Sequence, residues 1–210
     1  MKKGVIGEIY RWMHQDNQYG KIVNFKDKNY VLTVTGRYRN EERLIGSKYY
    51  SLFDENYKDI GSMQVILKTN NDEYINYMKQ SCFKVTPKYC FELISIDIEE
   101  QYQNNGIGSF LLNFAIEDIE KFNKSVNMQL PLLIKRLTTD QNINFYKKWQ
   151  AEYNSKFSSD NVGQYCPLII KLPQIKEEYK TKKICPIKVI ESELNCDNSL
   201  NKDFLCEKED

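Results

Sequence analysis

The residues that decide the fold run from Cys90 to Ser109 and read Cys-Phe-Glu-Leu-Ile-Ser-Ile-Asp-Ile, then Glu-Glu-Gln-Tyr, then Gln-Asn-Asn-Gly-Ile-Gly-Ser. The first part, over 91–98, alternates and is rich in β-branched residues, which predicts a strand. Apolar residues after Ser109 recur at the three- and four-residue spacing of a helix. The chain therefore passes from a strand through a polar turn and a Gly-x-Gly into a helix over 109–123. Strict alternation places four side chains on one face of the strand: Glu92, Ile94, Ile96 and Ile98.

The turn before the helix has the chemistry of an anion site. Gly106 and Gly108 allow a ligand to approach the backbone closely, and the first N–H groups of a helix suit a pyrophosphate. The pattern is not a dinucleotide fingerprint, because Leu111 stands where a third glycine is needed. It is not a P-loop either, because no Gly-Lys-Ser/Thr follows.

Gln103-x-x-Gly106-x-Gly108 resembles the acetyl-CoA loop of the GNAT acyltransferase superfamily, which reads Gln/Arg-x-x-Gly-x-Gly/Ala. The preceding Glu-Leu-x-x-Ile-x-Ile-x-x-x-Tyr over 92–102 is similar to that family's fourth strand, with Glu100 where a proline is usual. The resemblance covers 48–150. It implies an α/β fold, with a mixed, mostly antiparallel sheet flanked by helices and an atypical β-rich N-terminal segment.

The resemblance also implies a cosubstrate, acetyl-CoA, and no metal. In such a site the loop amides hold the pyrophosphate, and the strand backbone around Ile96 to Ile98 runs beside the pantetheine and donates to the thioester carbonyl. The residues implied for cofactor binding are Ile96, Asp97, Ile98, Gln103, Asn104, Asn105, Gly106, Ile107, Gly108 and Ser109.

Two residues are candidates for catalysis by the same resemblance. Glu92 lies where some family members carry a general base, and the alternative is a strand-end glutamate that pairs with a lysine. Tyr146, within Phe-Tyr-x-Lys, lies where the family places a tyrosine near the coenzyme sulfur. A phenol with a pKa of about 10 can protonate a departing thiolate whose conjugate thiol has a pKa of about 8.5. The alternative is a tyrosine that only packs its helix against the sheet.

Composition limits the remaining functions. Among 210 residues, 30 Lys and Arg balance 29 Asp and Glu, which gives no electrostatic case for nucleic acid or an anionic membrane. Six cysteines lack a Cys-x-x-Cys pair and His14 is the only histidine, so we expect no zinc site. No apolar run reaches a membrane span, and a signal peptide is not expected, so we predict reduced thiols in a cytoplasm.

The chain divides into a core domain over 1–173 and a charged tail over 174–210. The domain comprises atypical N-terminal strands over 1–45 and a conserved-like core over 46–173, and the tail is predicted to be loosely ordered and dispensable. The predicted strands are 5–10, 21–25, 30–38, a hairpin of 48–53 with 62–68, 91–98, 128–137 and a closing hairpin of 153–157 with 166–172; the predicted helices are 70–80, 109–123 and 139–149.

Some residues depart from the family pattern. Gln150 and Ala151 replace the usual Gly-Phe, and Thr139 replaces an asparagine. Between Tyr38 and Lys48 there is no room for the two helices that form much of the family's acceptor site, and residues 10–28 do not have a helical pattern. Two functions therefore remain open: an acyl-CoA-dependent N-acetyltransferase acting on a primary amine of a small molecule or protein, or a non-catalytic acyl-CoA-binding or interaction module. Partner recruitment by the N-terminal strands and tail, with acetylation of that partner as the output, is a further reading.

Overall fold

A computed structural model of the chain describes residues 3–14, 19–38, 44–69, 88–134, 140–153, 168–171, 174–181 and 184–188. Within these ranges the helices are α1 (Lys3–His14), α2 (Ile107–Val126) and α3 (Asp140–Lys147). The strands are β1 (Tyr19–Phe25), β2 (Lys28–Tyr38), β3 (Leu44–Phe53), β4 (Asp59–Thr69), β5 (Tyr89–Ile98), β6 (Leu132–Ile134), β7 (Glu152–Tyr153), β8 (Leu168–Ile170) and β9 (Ile184–Lys188). Short 3₁₀ turns cover Glu100–Tyr102 and Glu177–Tyr179.

All of these strands join one sheet in the order β7-β8-β6-β5-β4-β3-β2-β1-β9. Among the described strands only the β5–β6 pair is parallel, since α2 carries the chain back between these strands. The other pairs are antiparallel. The predicted fold class, a mixed and mostly antiparallel sheet flanked by helices, is confirmed.

One face of the sheet is covered by α1 and α2. Phe91 on β5 lies between the two helices, with its ring 5.1 Å from that of Trp12 and 5.5 Å from that of Phe122. A buried ion pair fixes α2 over β3: Lys48 Nζ lies 2.7 Å from Asp118 Oδ2, which also accepts the Tyr50 hydroxyl at 2.8 Å. These contacts hold the middle and C-terminal half of α2 against the sheet.

The predicted strand over 5–10 is wrong, because these residues belong to α1. Ile9, Trp12 and Met13 are buried at the i, i+3, i+4 spacing of one helical face. Met13 lies directly on the sheet at Gly36 and Gly46, where a β carbon would collide with it. Six residues span less than two helical turns, so the stretch 5–10 alone does not reveal this period.

The tail is not loose over the part that the structure describes. β9 pairs with β1 from Tyr19↔Lys188 to Val23↔Ile184. Ahead of β9, Tyr179 packs against Phe25 with ring centroids 6.3 Å apart. The prediction of a loosely ordered segment is wrong for 174–181 and 184–188, while the domain boundary at 173 stays a prediction.

The predicted face of β5 is also wrong, because the strand contains a bulge. Gln64 on β4 pairs with Ser95 and the next residue, Val65, pairs with Leu93, which leaves Ile94 as an extra residue. The side chains therefore change faces at Ile94. Phe91, Leu93, Ile96 and Ile98 face α2, whereas Cys90, Glu92, Ser95 and Asp97 face away.

For the remaining predicted elements that the structure describes, the type of element is confirmed, but the first and last residues differ from the prediction. β1 and β2 match the predicted strands 21–25 and 30–38, β3 and β4 form the predicted hairpin, and α2 and α3 fall on the predicted helices. The strand predicted over 128–137 is described only as β6, and β7 with β8 forms the closing hairpin. The helix predicted over 70–80 lies outside the described residues.

Candidate active site

The loop between β5 and α2 is built for close approach to its backbone. Gln103 Nε2 donates to the carbonyl of Ile98 at 2.8 Å and ties the loop to the end of the strand. Asn104 has φ +61° and Gly106 has φ +86°, both in the left-handed region. These two reversals turn the chain directly from the 3₁₀ turn into α2.

The start of α2 has no side-chain cap. Gly106 is its N-cap residue without a capping hydrogen bond, and the first turn contains no acidic residue. The first helical hydrogen bond runs from the N–H of Phe110 to the carbonyl of Gly106 at 2.9 Å. The backbone N–H groups of 107–109 therefore have no acceptor within the helix and can bind an anion. The side chains of Ile107 and Ser109 are buried, so only their backbone can serve this role.

A lysine from a distant turn lies against this loop. Lys26, in the two-residue turn between β1 and β2, donates from Nζ to the carbonyl of Asn105 at 2.8 Å. A β carbon on Gly106 would lie 3.2 Å from the same Nζ. Sequence reasoning missed Lys26 because no local sequence pattern indicates this contact. The ring of Phe25, the residue before Lys26, packs on Phe110 of α2 and so places the turn beside the loop.

The outer half of β5 is paired on one side only among the described residues. Its pairs with β6 end at Leu93↔Ile134, whereas its pairs with β4 continue to Ile98. The bulge exposes Ile94, whose side chain is 47% accessible. Gly108 lies beside this part of the strand, because a β carbon there would lie 3.7 Å from both Ile96 Cδ1 and Ile98 Cγ1. The side chain of Asp97 is exposed on the opposite face.

Tyr146 lies buried at the end of α3, with 6% of its surface accessible. Its ring packs edge-on against Phe145, with centroids 4.9 Å apart, and Phe145 reaches the start of α2 near Gly108. Burial, followed by the nearby Asp97 carboxylate, raises the pKa of Tyr146 well above its usual 10.0. The side chain is therefore a neutral phenol at physiological pH, close to the outer half of β5.

Glu92 is buried and ion-paired on the opposite face of β5 from α2. Its Oε2 contacts Nζ of Lys68 on β4, and both side chains are largely inaccessible. This arrangement matches the alternative given for Glu92 above, a glutamate that pairs with a lysine. Among the described residues no contact joins Glu92 to Tyr146, so the two catalytic candidates are not brought together directly.

The thiol of Cys90 offers no competing site. Cys90 is fully buried, and desolvation, only partly offset by Lys68, raises the pKa of its thiol to about 12. Such a thiol is not a nucleophile at neutral pH. The described ranges contain no cluster of His, Cys, Asp and Glu able to hold a metal ion. No helix in those ranges has the length and hydrophobicity to cross a membrane.

No protein-family model matches the sequence, and no curated protein matches it. Several solved structures resemble the chain. A bacterial toxin has 15% identity and a TM-score of 0.49, with 60% of this chain and 67% of the toxin covered. The Bacillus subtilis N-acetyltransferase YlbP in complex with coenzyme A has 16% identity and a TM-score of 0.37, over 61% and 70% of the two chains. The Escherichia coli ribosomal-protein-S18-alanine N-acetyltransferase has 17% identity and a TM-score of 0.38, over 65% and 73%. With such low identities and TM-scores, these are likenesses only, and the activity of this chain has to be derived from its own residues.

Proposed function

We propose that the chain is an acyl-CoA-dependent N-acyltransferase that transfers an acetyl group from acetyl-CoA to a primary amine. The observation that carries this proposal is the uncapped start of α2, set by Gly106 directly after the β5 strand and its 3₁₀ turn. A pyrophosphate at the amides of 107–109 lets a linear arm lie along the outer half of β5, which is paired on one side only among the described residues. The residues Ile96 to Ile98 then present backbone groups to that arm.

The transfer needs few side chains. The amine nitrogen attacks the thioester carbonyl carbon, the carbon–sulfur bond breaks, and the proton lost by the amine and the proton gained by the thiolate must each have a carrier. Glu92 is the candidate to accept the first, through water, because it lies where the resembling family carries a general base. Tyr146 is the candidate donor at the sulfur. Its raised pKa makes complete proton transfer to a thiolate more costly, by about 1.4 kcal/mol per pKa unit, and favours a donated hydrogen bond.

The test of the activity is release of free CoA thiol from acetyl-CoA by the full chain, measured against amines, polyamines, aminoglycosides and peptides. We expect release above the hydrolysis background with at least one class of amine, together with the acetylated product. Tight binding of acetyl-CoA without release for any acceptor would contradict an enzyme and support the alternative, a non-catalytic acyl-CoA-binding module. The ion pair of Glu92 with Lys68 is the observation that favours that alternative.

Acetyl-CoA affinity should fall when a negative charge is added to the loop. We expect Asn104→Asp to raise the Kd for acetyl-CoA by about tenfold, because two like charges about 4 Å apart repel by roughly 1–4 kcal/mol near a protein surface. Aspartate tolerates the left-handed backbone of this position, so the fold should be kept. Calorimetry on the full chain measures the change.

The matched control is Asn127→Asp at the other end of the same helix. Asn127 is also exposed, and it has φ +51° at the C-cap of α2. A helix of 20 residues places it about 30 Å from the loop. Equal affinities of both variants and the parent would contradict phosphate binding at 104–109. Gly106 is a poorer position for this test, since any side chain there is strained by φ +86°.

A further inference from the structure

A cavity of about 500 Å³ adjoins the loop on the side of the β1–β2 and β3–β4 turns. Asn105 and Ile107 form part of its wall, so it opens directly beside the amides proposed to hold the pyrophosphate. Its size is that of a pocket for a small organic ligand. Among the described residues, none from the outer half of β5 or from α3 lines it. A ligand anchored at 107–109 can therefore enter this cavity only with the end that does not carry the thioester.

The interior of the cavity is aromatic and its mouth is charged. Tyr30, 8% accessible, and Tyr102 supply flat rings on which a nucleobase can stack. Tyr102 is held in place by its hydroxyl, which donates to Asp54 Oδ2 at 3.2 Å. The remaining Asp54 oxygen accepts the N–H groups of Asn56 and Lys58, at 2.8 and 2.9 Å. Both oxygens of the Asp54 carboxylate therefore accept hydrogen bonds from residues around the cavity.

The charged groups at the mouth are of both signs. Lys26 and Lys28 are exposed on one turn, and Glu55 is exposed on the other, with Asp27 beside the lysines. Lys26 already donates to the loop carbonyl of Asn105. A ligand that combines a phosphate with an exocyclic amine matches this mixture, since ammonium groups bind the phosphate and a carboxylate accepts from the amine. A simple polyanion would be opposed by the acidic side chains.

We propose that this cavity binds the 3′-phosphoadenosine end of coenzyme A, with Lys28 on the 3′-phosphate and Tyr30 and Tyr102 around the adenine. The inference rests on the proposed function and adds a nucleotide site formed by two turns of the N-terminal strands. These strands then have a role in cofactor selection as well as in the sheet. Lys26 belongs to both sites because it links the cavity to the loop.

The test compares CoA with dephospho-CoA, which lacks only the 3′-phosphate, by calorimetry on the full chain. We expect the parent to bind CoA about tenfold more tightly, since the exposed ammonium of Lys28 donates a charge-assisted hydrogen bond to the 3′-phosphate. Lys28→Gln should bring this ratio close to one while leaving the affinity for dephospho-CoA unchanged. Adenosine 3′,5′-bisphosphate, which has no pantetheine, should compete with acetyl-CoA for the parent.

Lys58→Gln is the control, because Lys58 is exposed in the β3–β4 turn but does not line the cavity. It should keep the CoA preference of the parent. A ratio near one in the parent, or a ratio unchanged by Lys28→Gln, would overturn the nucleotide site and leave acetyl-CoA binding at the loop intact. Failure of CoA and dephospho-CoA alike to bind would overturn the proposed function and this inference together.

Discussion

Removing the residues after Pro173 should lower the melting temperature by about 10–20 °C. The deletion takes away β9 and leaves β1 as an unprotected edge. It also removes Tyr179, whose ring lies 5.8 Å from that of Trp149, and the backbone N–H of Lys176 that donates to buried Asn113 at 2.7 Å. Burying an aromatic ring contributes about 1.5–3 kcal/mol, and an orphaned buried acceptor costs about 1–3 kcal/mol. At about 2–4 °C per kcal/mol, these losses and the broken strand pairing give the expected drop.

A second truncation, after Ile190, supplies the comparison, because it keeps every described contact of the segment. Thermal unfolding of the two shortened chains and the parent isolates the contribution of 174–190. A chain ending at 173 that melts within about 4 °C of the one ending at 190 would show that these contacts do not stabilise the fold.

Replacing Tyr146 by phenylalanine should reduce turnover by roughly 10²-fold while acetyl-CoA affinity stays the same. The substitution removes one hydroxyl and keeps the buried ring against Phe145, so stability should change little. A group that assists only in the transition state lowers kcat without changing ground-state binding, and removing one hydrogen-bond donor to a developing charge typically costs about 10²–10³-fold. Steady-state CoA release with the best acceptor, alongside calorimetry for acetyl-CoA, measures both quantities.

Tyr179→Phe is the matched control, since it removes a hydroxyl from another ring packed on the core. It should turn over like the parent. The pH profile gives an independent check: burial raises the pKa of Tyr146, so its ionisation should not appear as a loss of activity below pH 10. Parent-like turnover in Tyr146→Phe would mean that the residue only packs its helix.

The strand–turn–helix unit could be predicted because its signals are local. Alternation over 91–98, Gly106 at a left-handed position and the apolar period of α2 each depend on neighbours within one or two turns of chain. The faces of β5 could not be predicted in the same way. A single bulged residue, Ile94, moves every later side chain of the strand to the other face. The bulge is evident only from the pairing with Gln64 and Val65 on β4, which lie about 30 residues earlier in the sequence.

The same distinction explains the errors at the two ends of the described chain. α1 depends on Gly36 and Gly46 to receive Met13, and neither glycine is close to it in sequence. β9 has five residues and contains Pro186, which a central strand would not tolerate, and it is stable only as an edge strand on β1. Glu92 and Lys68 were each visible, yet their pairing follows from the β4–β5 register. These three features therefore depend on contacts between residues that are distant in sequence, which local sequence patterns do not predict.

The pairing of β1 with β9 also makes the sheet slow to complete during synthesis. The hydrogen bonds between Asn24 and Thr181 span 157 residues, so they close a very long loop of chain. At a synthesis rate of about 5–20 residues per second, β1 waits roughly 8–30 s for its outer partner to be made. Throughout that interval the backbone N–H and C=O groups on its free edge are open to pairing with another nascent chain. The charged residues Lys21, Lys26 and Asp27 in and beside β1 then discourage that association, at a stage when the helix–sheet core has only begun to form.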